Sequence, residues 1–423
     1  MRTTFIVGSL LALLGSASAI NKLEIKGSKF FDSKTGEEFF FKGIAYQPEV
    51  NPDPSKSDPL ADVEGCKRDL PYLKELGVNS VRVYQTDPSK NHDECMKMLA
   101  DNGIYVMLDL AGIQNAINRN EPQWDSSLLD YYYNKVDAFG KYGNLAAFIA
   151  GNEVANSVST VKSAEYVKAA VRDTKAYIKS KNLAIPVGYA SNDEPELRDN
   201  LQTYFDCGDE AERVDFYGVN LYQWCGDGMD FKTSGYESVV DKYKTYAIPV
   251  LLTEYGCNAV RPRTFPEVKS IYGSDMTGTF SGGFMYMYSE EANNYGVISV
   301  GKDGSETKKT DDFDNFKNAL SKVDPKGVNI SKYSSDKKAS QCPKKSDAWP
   351  IDSDTLPPTP KEGSRPKIDN NEKTDDKSKS KDKDSSSDSE KSEDSEGSGA
   401  LALGRASSFT VFTAIAAAYA SLF

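Results

Sequence analysis

The sequence predicts an α/β protein of the (β/α)8 TIM-barrel class. Three observations carry this: eight apolar strand-like runs, amphipathic helical segments between most of them, and about three hundred residues of chain to hold both. The runs lie at 39–47, 78–84, 104–110, 146–153, 185–191, 214–222, 248–255 and 282–289. Segments such as "LADVEGCKRDLPYLKELG", "SSLLDYYYNKVDAFGKYG", "SAEYVKAAVRDTKAYIKSKN" and "GYESVVDKYKTY" space their apolar residues as helices do. A doubly wound open sheet is the competing arrangement. No GxGxxG follows the first run and no GxxxxGK[ST] occurs, so the usual sign of a nucleotide-binding sheet is missing.

Upstream of the first run, "KLEIKGSKFFDSKTGEEFFFKG" reads as an N-terminal β-hairpin with its turn at 33–36, expected to cap the bottom of the barrel. Downstream of the eighth, "TDDFDNFKNALSKV" reads as the closing helix. One domain is therefore expected over 20–345. Residues 346–398 read as a linker, with a domain boundary marked by the Pro-rich "WPIDSDTLPPTP". From 361 to 398, 21 of 38 residues are charged, ten are Ser, and Ile368 is the one apolar residue. Such a stalk buries too little to offset chain entropy and is expected to be disordered.

Residues 1–19 read as a secretory signal, with an apolar stretch from Phe5 to Leu14 and an A-x-A site at Ala17-Ser18-Ala19. Residues 399–423 read as a glycosylphosphatidylinositol-attachment propeptide, with lipid joined at Ser398, or at Gly397 or Gly399. The alternative is a single-pass anchor, disfavoured because the tail is shorter than the roughly 20 residues a span needs. The expected location is the outer face of the plasma membrane, with a later link to the wall left open. Six cysteines in a secreted chain point to disulfides. Cys66 and Cys95 lie on consecutive helical stretches, and Cys225 and Cys257 follow two late strands, which leaves Cys207 with Cys342. Asn329-Ile330-Ser331 is a glycosylation sequon. A net charge of -12 argues against nucleic acid as a partner, since binding it rests on Lys and Arg neutralising phosphates.

In such a barrel, function sits on the loops at the C-terminal ends of the strands. Two of the runs end there on a glutamate: "LAAFIAGNEVA" on Glu153 and "IPVLLTEYGCN" on Glu254. A carboxylate left unpaired at a core edge costs several kcal/mol, so these two need a partner or a use. The single histidine, His92, lies in a connection far from any nucleophile-elbow motif and reads as a surface or helix-start residue. HExxH is absent, and no metal or cofactor is expected. What remains is carboxylate chemistry. In glycoside cleavage one carboxyl protonates the leaving oxygen while a second, about 5 to 5.5 Å away, attacks the anomeric carbon. Asn152 beside Glu153 offers an amide to a sugar 2-hydroxyl, which makes Glu153 the better acid/base and Glu254 the better nucleophile. Tyr255 and Tyr222 are candidates to hold Glu254. Tyr46, Tyr84, Tyr222, Trp224, Tyr286 and Tyr288 offer flat faces to sugar rings, with packing as the alternative for each.

The segments "FFFKGIAYQP", "VRVYQTDP", "VMLDLA", "FIAGNEV", "GVNLYQWCG", "LLTEYGCN" and "SGGFMYMYSEEANNYG" together resemble the fungal cell-wall β-1,3-glucanosyltransferases of glycoside hydrolase family 72. The similarity runs in order from about residue 39 to about residue 296, and the two ends of the chain fit as well. The resemblance implies Glu153 as acid/base and Glu254 as nucleophile, and places Gln47, Tyr84, Asp109, Asn152, Tyr222 and Tyr286 around the donor sugar. It implies the same three disulfides. Its reaction cuts an internal β-1,3-glucan bond with retention, through a covalent glycosyl-enzyme, and joins the new reducing end to the non-reducing end of another β-1,3-glucan. Only Cys342 follows Cys257, so the cysteine-rich carbohydrate-binding module of some members is not expected. Two alternatives stay open: a hydrolytic endo-β-1,3-glucanase using the same glutamates, and a non-catalytic wall or adhesion protein.

Overall fold

The computed structural model describes residues 20–48, 53–301 and 306–363. The expected signal segment, the linker from 364 onward, and the attachment positions Gly397, Ser398 and Gly399 lie outside the described residues. Among the described residues no helix is long and apolar enough to cross a membrane.

A short antiparallel hairpin, β1 (Leu23–Lys26) and β2 (Lys29–Asp32), precedes eight parallel strands. These are β3 (Phe41–Ala45), β4 (Ser80–Val83), β5 (Tyr105–Asp109), β6 (Leu145–Asn152), β7 (Val187–Asn192), β8 (Phe216–Leu221), β9 (Val250–Tyr255) and β10 (Phe280–Met285). They pair in sequence order, and β10 returns to pair with β3, so the barrel is closed. A helix follows each strand: α1 (Val63–Leu76), α2 (Asp93–Asp101), α3 (Ser126–Phe139), α4 (Ser163–Ser180), α5 (Arg198–Asp206), α6 (Tyr236–Tyr243), the short α7 (Glu267–Ile271) and α8 (Asp311–Ser321). This is the (β/α)8 barrel expected from the eight runs. A small ribbon, β11 (Ile298–Val300) with β12 (Thr307–Lys309), sits between β10 and α8 and was not anticipated.

The bottom of the barrel is filled by Phe41, Tyr105, Met107, Ile149, Phe216, Leu251 and Phe284. Phe30 of the hairpin seats its ring 5.0 Å from Phe41 and 5.8 Å from Phe216, so the hairpin does cap this end. Its first turn is at Gly27-Ser28; the turn expected at 33–36 is a second one, which brings Phe31 opposite Glu38. Rings this large fit inside eight strands because facing positions are small. A Cβ on Gly43 would fall 2.3 Å from the Phe284 ring, and one on Gly188 2.4 Å from Phe216.

The six cysteines join as Cys66–Cys95, Cys207–Cys342 and Cys225–Cys257. The boundary expected at 345/346 falls too early. Trp349 and Ile351 are buried, with the Trp349 ring 5.2 Å from Tyr204 of α5. Farther on, Thr359 donates to Asp173 of α4. Proline-rich composition ends regular structure, but it does not stop an irregular strap from packing on helices. Asn329 is partly exposed, and its amide nitrogen donates to Glu37 (2.9 Å) and to the Thr35 carbonyl (3.2 Å).

Candidate active site

The top layer of the barrel is organised by one residue that sequence reasoning passed over. Arg82 of β4 is fully buried, and its five N–H donors are all used. Nε donates to Asp109 Oδ1 (3.1 Å), and Nη2 donates to Asp109 Oδ2 (2.9 Å) and Asn152 Oδ1 (3.0 Å). Nη1 donates to Glu254 Oε1 and to the Thr253 carbonyl, each at 3.2 Å. Burying a guanidinium costs several kcal/mol unless paired, and here carboxylates on two other strands pair with it. Its signal in the sequence is an arginine at the centre of "SVRVY", where strand alternation puts it on the same face as Tyr84.

Glu254 of β9 carries further donors. Tyr84 Oη donates to Oε1 at 2.9 Å and Tyr222 Oη to Oε2 at 2.7 Å. Tyr255, expected as a second support, is the neighbour of Glu254 on an extended strand and so points to the opposite face, beside Tyr272. The register of β8 on β9 shifts between Val219 and Asn220, which lets Thr253 and Glu254 crowd toward one side. Gly218 makes room for this: a Cβ there would lie 2.3 Å from Thr253 Cγ2.

Glu153 follows β6, whose pairing with β7 also shifts, between Ile149 and Asn152. Its φ of 49° lies in the left-handed region, uncommon for a residue with a side chain. The backbone is held there by Glu153 N donating to the Ala190 carbonyl at 2.8 Å. One neutral donor meets its carboxylate, Asn220 Nδ2 at 2.7 Å from Oε1. Asn220 is the second residue not anticipated. Asn152 Oδ1 accepts from both Arg82 Nη2 (3.0 Å) and Asn220 Nδ2 (3.1 Å), so that amide's NH2 is turned the other way.

Burial raises all three carboxyls of this layer above the ordinary range, Glu254 up to about 7. At Glu254, Arg82 pulls down, Glu153 pushes further up, and the Tyr222 and Tyr84 hydroxyls pull down. At Glu153, Asn220, Arg82 and Arg119 pull down. An acid/base and nucleophile pair needs one proton between its two carboxyls. The donors decide its place: one cationic and two hydroxyl donors favour the anion at Glu254, while Glu153, with one amide donor, is the better holder of the proton.

Tyr84, Tyr222, Tyr286 and Tyr295 form an aromatic wall at the mouth. Tyr286 lies 6.4 Å from both Tyr84 and Tyr222, and 5.3 Å from Tyr295. Buried Arg263 fixes the backbone of this wall by donating to the carbonyls of Tyr286 (2.6 Å) and Tyr295 (2.5 Å). The Cys225–Cys257 bridge ties together the loops after β8 and β9, which flank Tyr222 and Glu254. Gln47 is close by but occupied: its Oε1 accepts from the backbone N–H of Tyr84 (3.1 Å) and Gln85 (2.9 Å).

Three of the expected aromatics are packing residues. Tyr46 donates to Asp69 of α1 at 2.9 Å and lies 5.2 Å from Tyr288, outside the barrel, and Trp224 packs edge-on to Tyr236 of α6. His92 is at the start of α2 as expected but is not on the surface. It is 1% exposed, hydrogen-bonded to Asp58 Oδ2 at 2.9 Å and covered by the Phe139 ring at 4.3 Å.

Residues 12–324 match the family of glycoside hydrolases 72 described as Glucanosyltransferase. Protein EPD1 of Candida maltosa is 48% identical over 349 residues, covering 82% of this chain and 63% of that one. A 1,3-beta-glucanosyltransferase of Arthroderma benhamiae is 46% identical over 344 residues, covering 79% of this chain and 62% of that one. The chain thus spans less than two thirds of the length of these relatives. Among solved structures, a Saccharomyces cerevisiae Gas2p mutant in complex with laminaritetraose and laminaripentaose superposes with a TM-score of 0.77. It is 43% identical, and the match covers 82% of this chain and 76% of that one. The chain belongs to the glucanosyltransferase family, glycoside hydrolase family 72.

Proposed function

We propose that the chain is a retaining β-1,3-glucanosyltransferase, with Glu254 as nucleophile and Glu153 as acid/base. The observation that carries the reading is the asymmetry of donors on the two carboxyls: among the described residues, Arg82, Tyr84 and Tyr222 donate to Glu254 and Asn220 to Glu153. It splits the proton between them as a double-displacement reaction requires. In the first step Glu153 gives its proton to the glycosidic oxygen of an internal β-1,3 bond while a Glu254 oxygen attacks the anomeric carbon. The reducing-end fragment leaves, and the remaining chain is held as an ester on Glu254. In the second, the Glu153 carboxylate takes the proton of a hydroxyl at the non-reducing end of another glucan. That oxygen attacks the anomeric carbon, the ester bond breaks, and Glu254 returns as the anion.

The remaining groups fit this chemistry. The outward-turned NH2 of Asn152 suits the 2-hydroxyl, whose contact strengthens in the transition state. Tyr84, Tyr222 and Tyr286 suit stacking against the donor sugar, and Asp109 acts through Arg82. Relatives named 1,3-beta-glucanosyltransferase, and the laminari-oligosaccharides bound to Gas2p, support β-1,3-glucan as both donor and acceptor. Incubation with a laminari-oligosaccharide labelled at its reduced end tests this: transfer gives chains longer than the starting material, whereas a purely hydrolytic enzyme gives only shorter ones. We further propose, on the composition of 397–423, attachment to the outer leaflet through a glycosylphosphatidylinositol lipid; release from cells by a phosphatidylinositol-specific phospholipase is the expected result.

A further inference from the structure

The geometry points to Asn220, locked in one orientation by Thr253, as a positioning residue that sets both the direction and the proton affinity of Glu153. This rests on the proposed reading of Glu153 as acid/base. Thr253 Oγ1 donates to Asn220 Oδ1 at 2.7 Å, and both residues are buried. A hydroxyl that spends its proton on Oδ1 fixes which end of the amide is which, so the two N–H bonds of Nδ2 face Asn152 Oδ1 (3.1 Å) and Glu153 Oε1 (2.7 Å). If the amide were turned over, its oxygen would face two oxygens, an arrangement that repels. The lock is built into the nucleophile's own strand, since Thr253 immediately precedes Glu254. One strand therefore presents the nucleophile and, through one amide, orients the proton donor across the cleft.

The consequence is a bias on the second step. A fixed N–H donor stabilises the Glu153 carboxylate against burial, and the carboxylate is the form that takes the acceptor's proton. It also limits how firmly Glu153 holds its proton in the first step. The other groups that act on Glu153 are Arg82 from β4, Arg119 from the loop after β5, Tyr189 from β7 and Glu254 from β9. Asn220→Ala and Thr253→Val leave each of these side chains in place in the sequence, and the Thr253 carbonyl that accepts from Arg82 is backbone.

The test is the pH profile of glucan cleavage by the intact enzyme for Asn220→Ala, Thr253→Val and Thr253→Ser, with thermal melts to confirm folding. Glu153 must be protonated for the first step, so its ionisation defines the alkaline limb. Loss of the donor in Asn220→Ala is expected to move that limb up by about one pH unit, the size of one hydrogen bond to a charged group. Thr253→Val, which frees the amide to turn, moves it in the same direction, and Thr253→Ser keeps the wild-type limb. An alkaline limb unmoved in Asn220→Ala and Thr253→Val, with rates merely lowered, overturns the proposal. Glu153→Gln measured alongside separates the two ideas: full turnover by that variant overturns the acid/base reading itself.

Discussion

Arg82 Nη1 donates to Glu254 Oε1 at 3.2 Å from a side chain with no exposure to solvent. The same guanidinium binds Asp109 through two donors, so one residue neutralises one carboxylate and aims another. Removing it leaves two buried carboxyls without their cation. Arg82→Met is expected to cost about 3 to 5 kcal/mol in a denaturant titration, as for other broken buried ion pairs. Arg82→Lys keeps the charge but not the planar fork, and is expected to fold while losing most transfer activity. Wild-type turnover in Arg82→Lys would remove the residue from the account.

The two tyrosines on Glu254 are not equivalent. Oε1 accepts from Arg82 as well as Tyr84, whereas Oε2 accepts from Tyr222. Tyr222→Phe is therefore expected to lower kcat more than Tyr84→Phe. The loss for Tyr222→Phe is about 10- to 100-fold, the range for a hydrogen bond to a charged group. Steady-state kinetics on one oligosaccharide donor compares them directly.

Glu267 gives a pH dependence of stability separate from catalysis. It is buried at the start of α7, and burial pushes its carboxyl from 4.5 up to about 7, with Arg263 pulling the other way. The folded value exceeds the unfolded one, so this group's contribution is most favourable below pH 4.5 and is lost as pH rises through 7. The deficit above pH 7 is about 3 kcal/mol. Glu267→Gln cannot titrate, so its stability relative to wild type is expected to improve between pH 4.5 and pH 8. Parallel melting curves at the two pH values check the sign.

Trp349 lies beyond the boundary that composition suggested, yet it is fully buried on Tyr204. Trp349→Ala is expected to destabilise the barrel by about 3 to 5 kcal/mol, as for other buried aromatic truncations. A chain ending at residue 345 should melt at a lower temperature than one ending at 363. Equal melting temperatures would make the strap an accessory.

These contrasts show what local pattern conveys here. The eight strands were legible because apolar runs of the right length alternate with helical spacing, and both glutamates because each lies within one residue of the end of such a strand. Arg82 and Asn220 were not, since their meaning lies in partners on other strands, brought together only by barrel closure. Tyr46, Tyr288 and Trp224 follow strand ends, where the chain curves into loops and strict alternation no longer tells inward from outward. His92 looked like a surface residue because its enclosing partners, Asp58 and Phe139, are 34 and 47 positions away. The Trp349 strap was hidden by composition: one tryptophan among prolines and acids does not change an average, but it is fully buried against Tyr204 of α5.

The central claim is that glucan is carried as an ester on Glu254. It is tested most directly by reacting the enzyme with an activated 2-deoxy-2-fluoro laminari-oligosaccharide, which slows breakdown of the ester, and sequencing the modified peptide by mass spectrometry. The account predicts one glycosyl adduct, on Glu254 within "LLTEYGCN". An adduct on Glu153, or cleavage with inversion and no adduct at all, would contradict it.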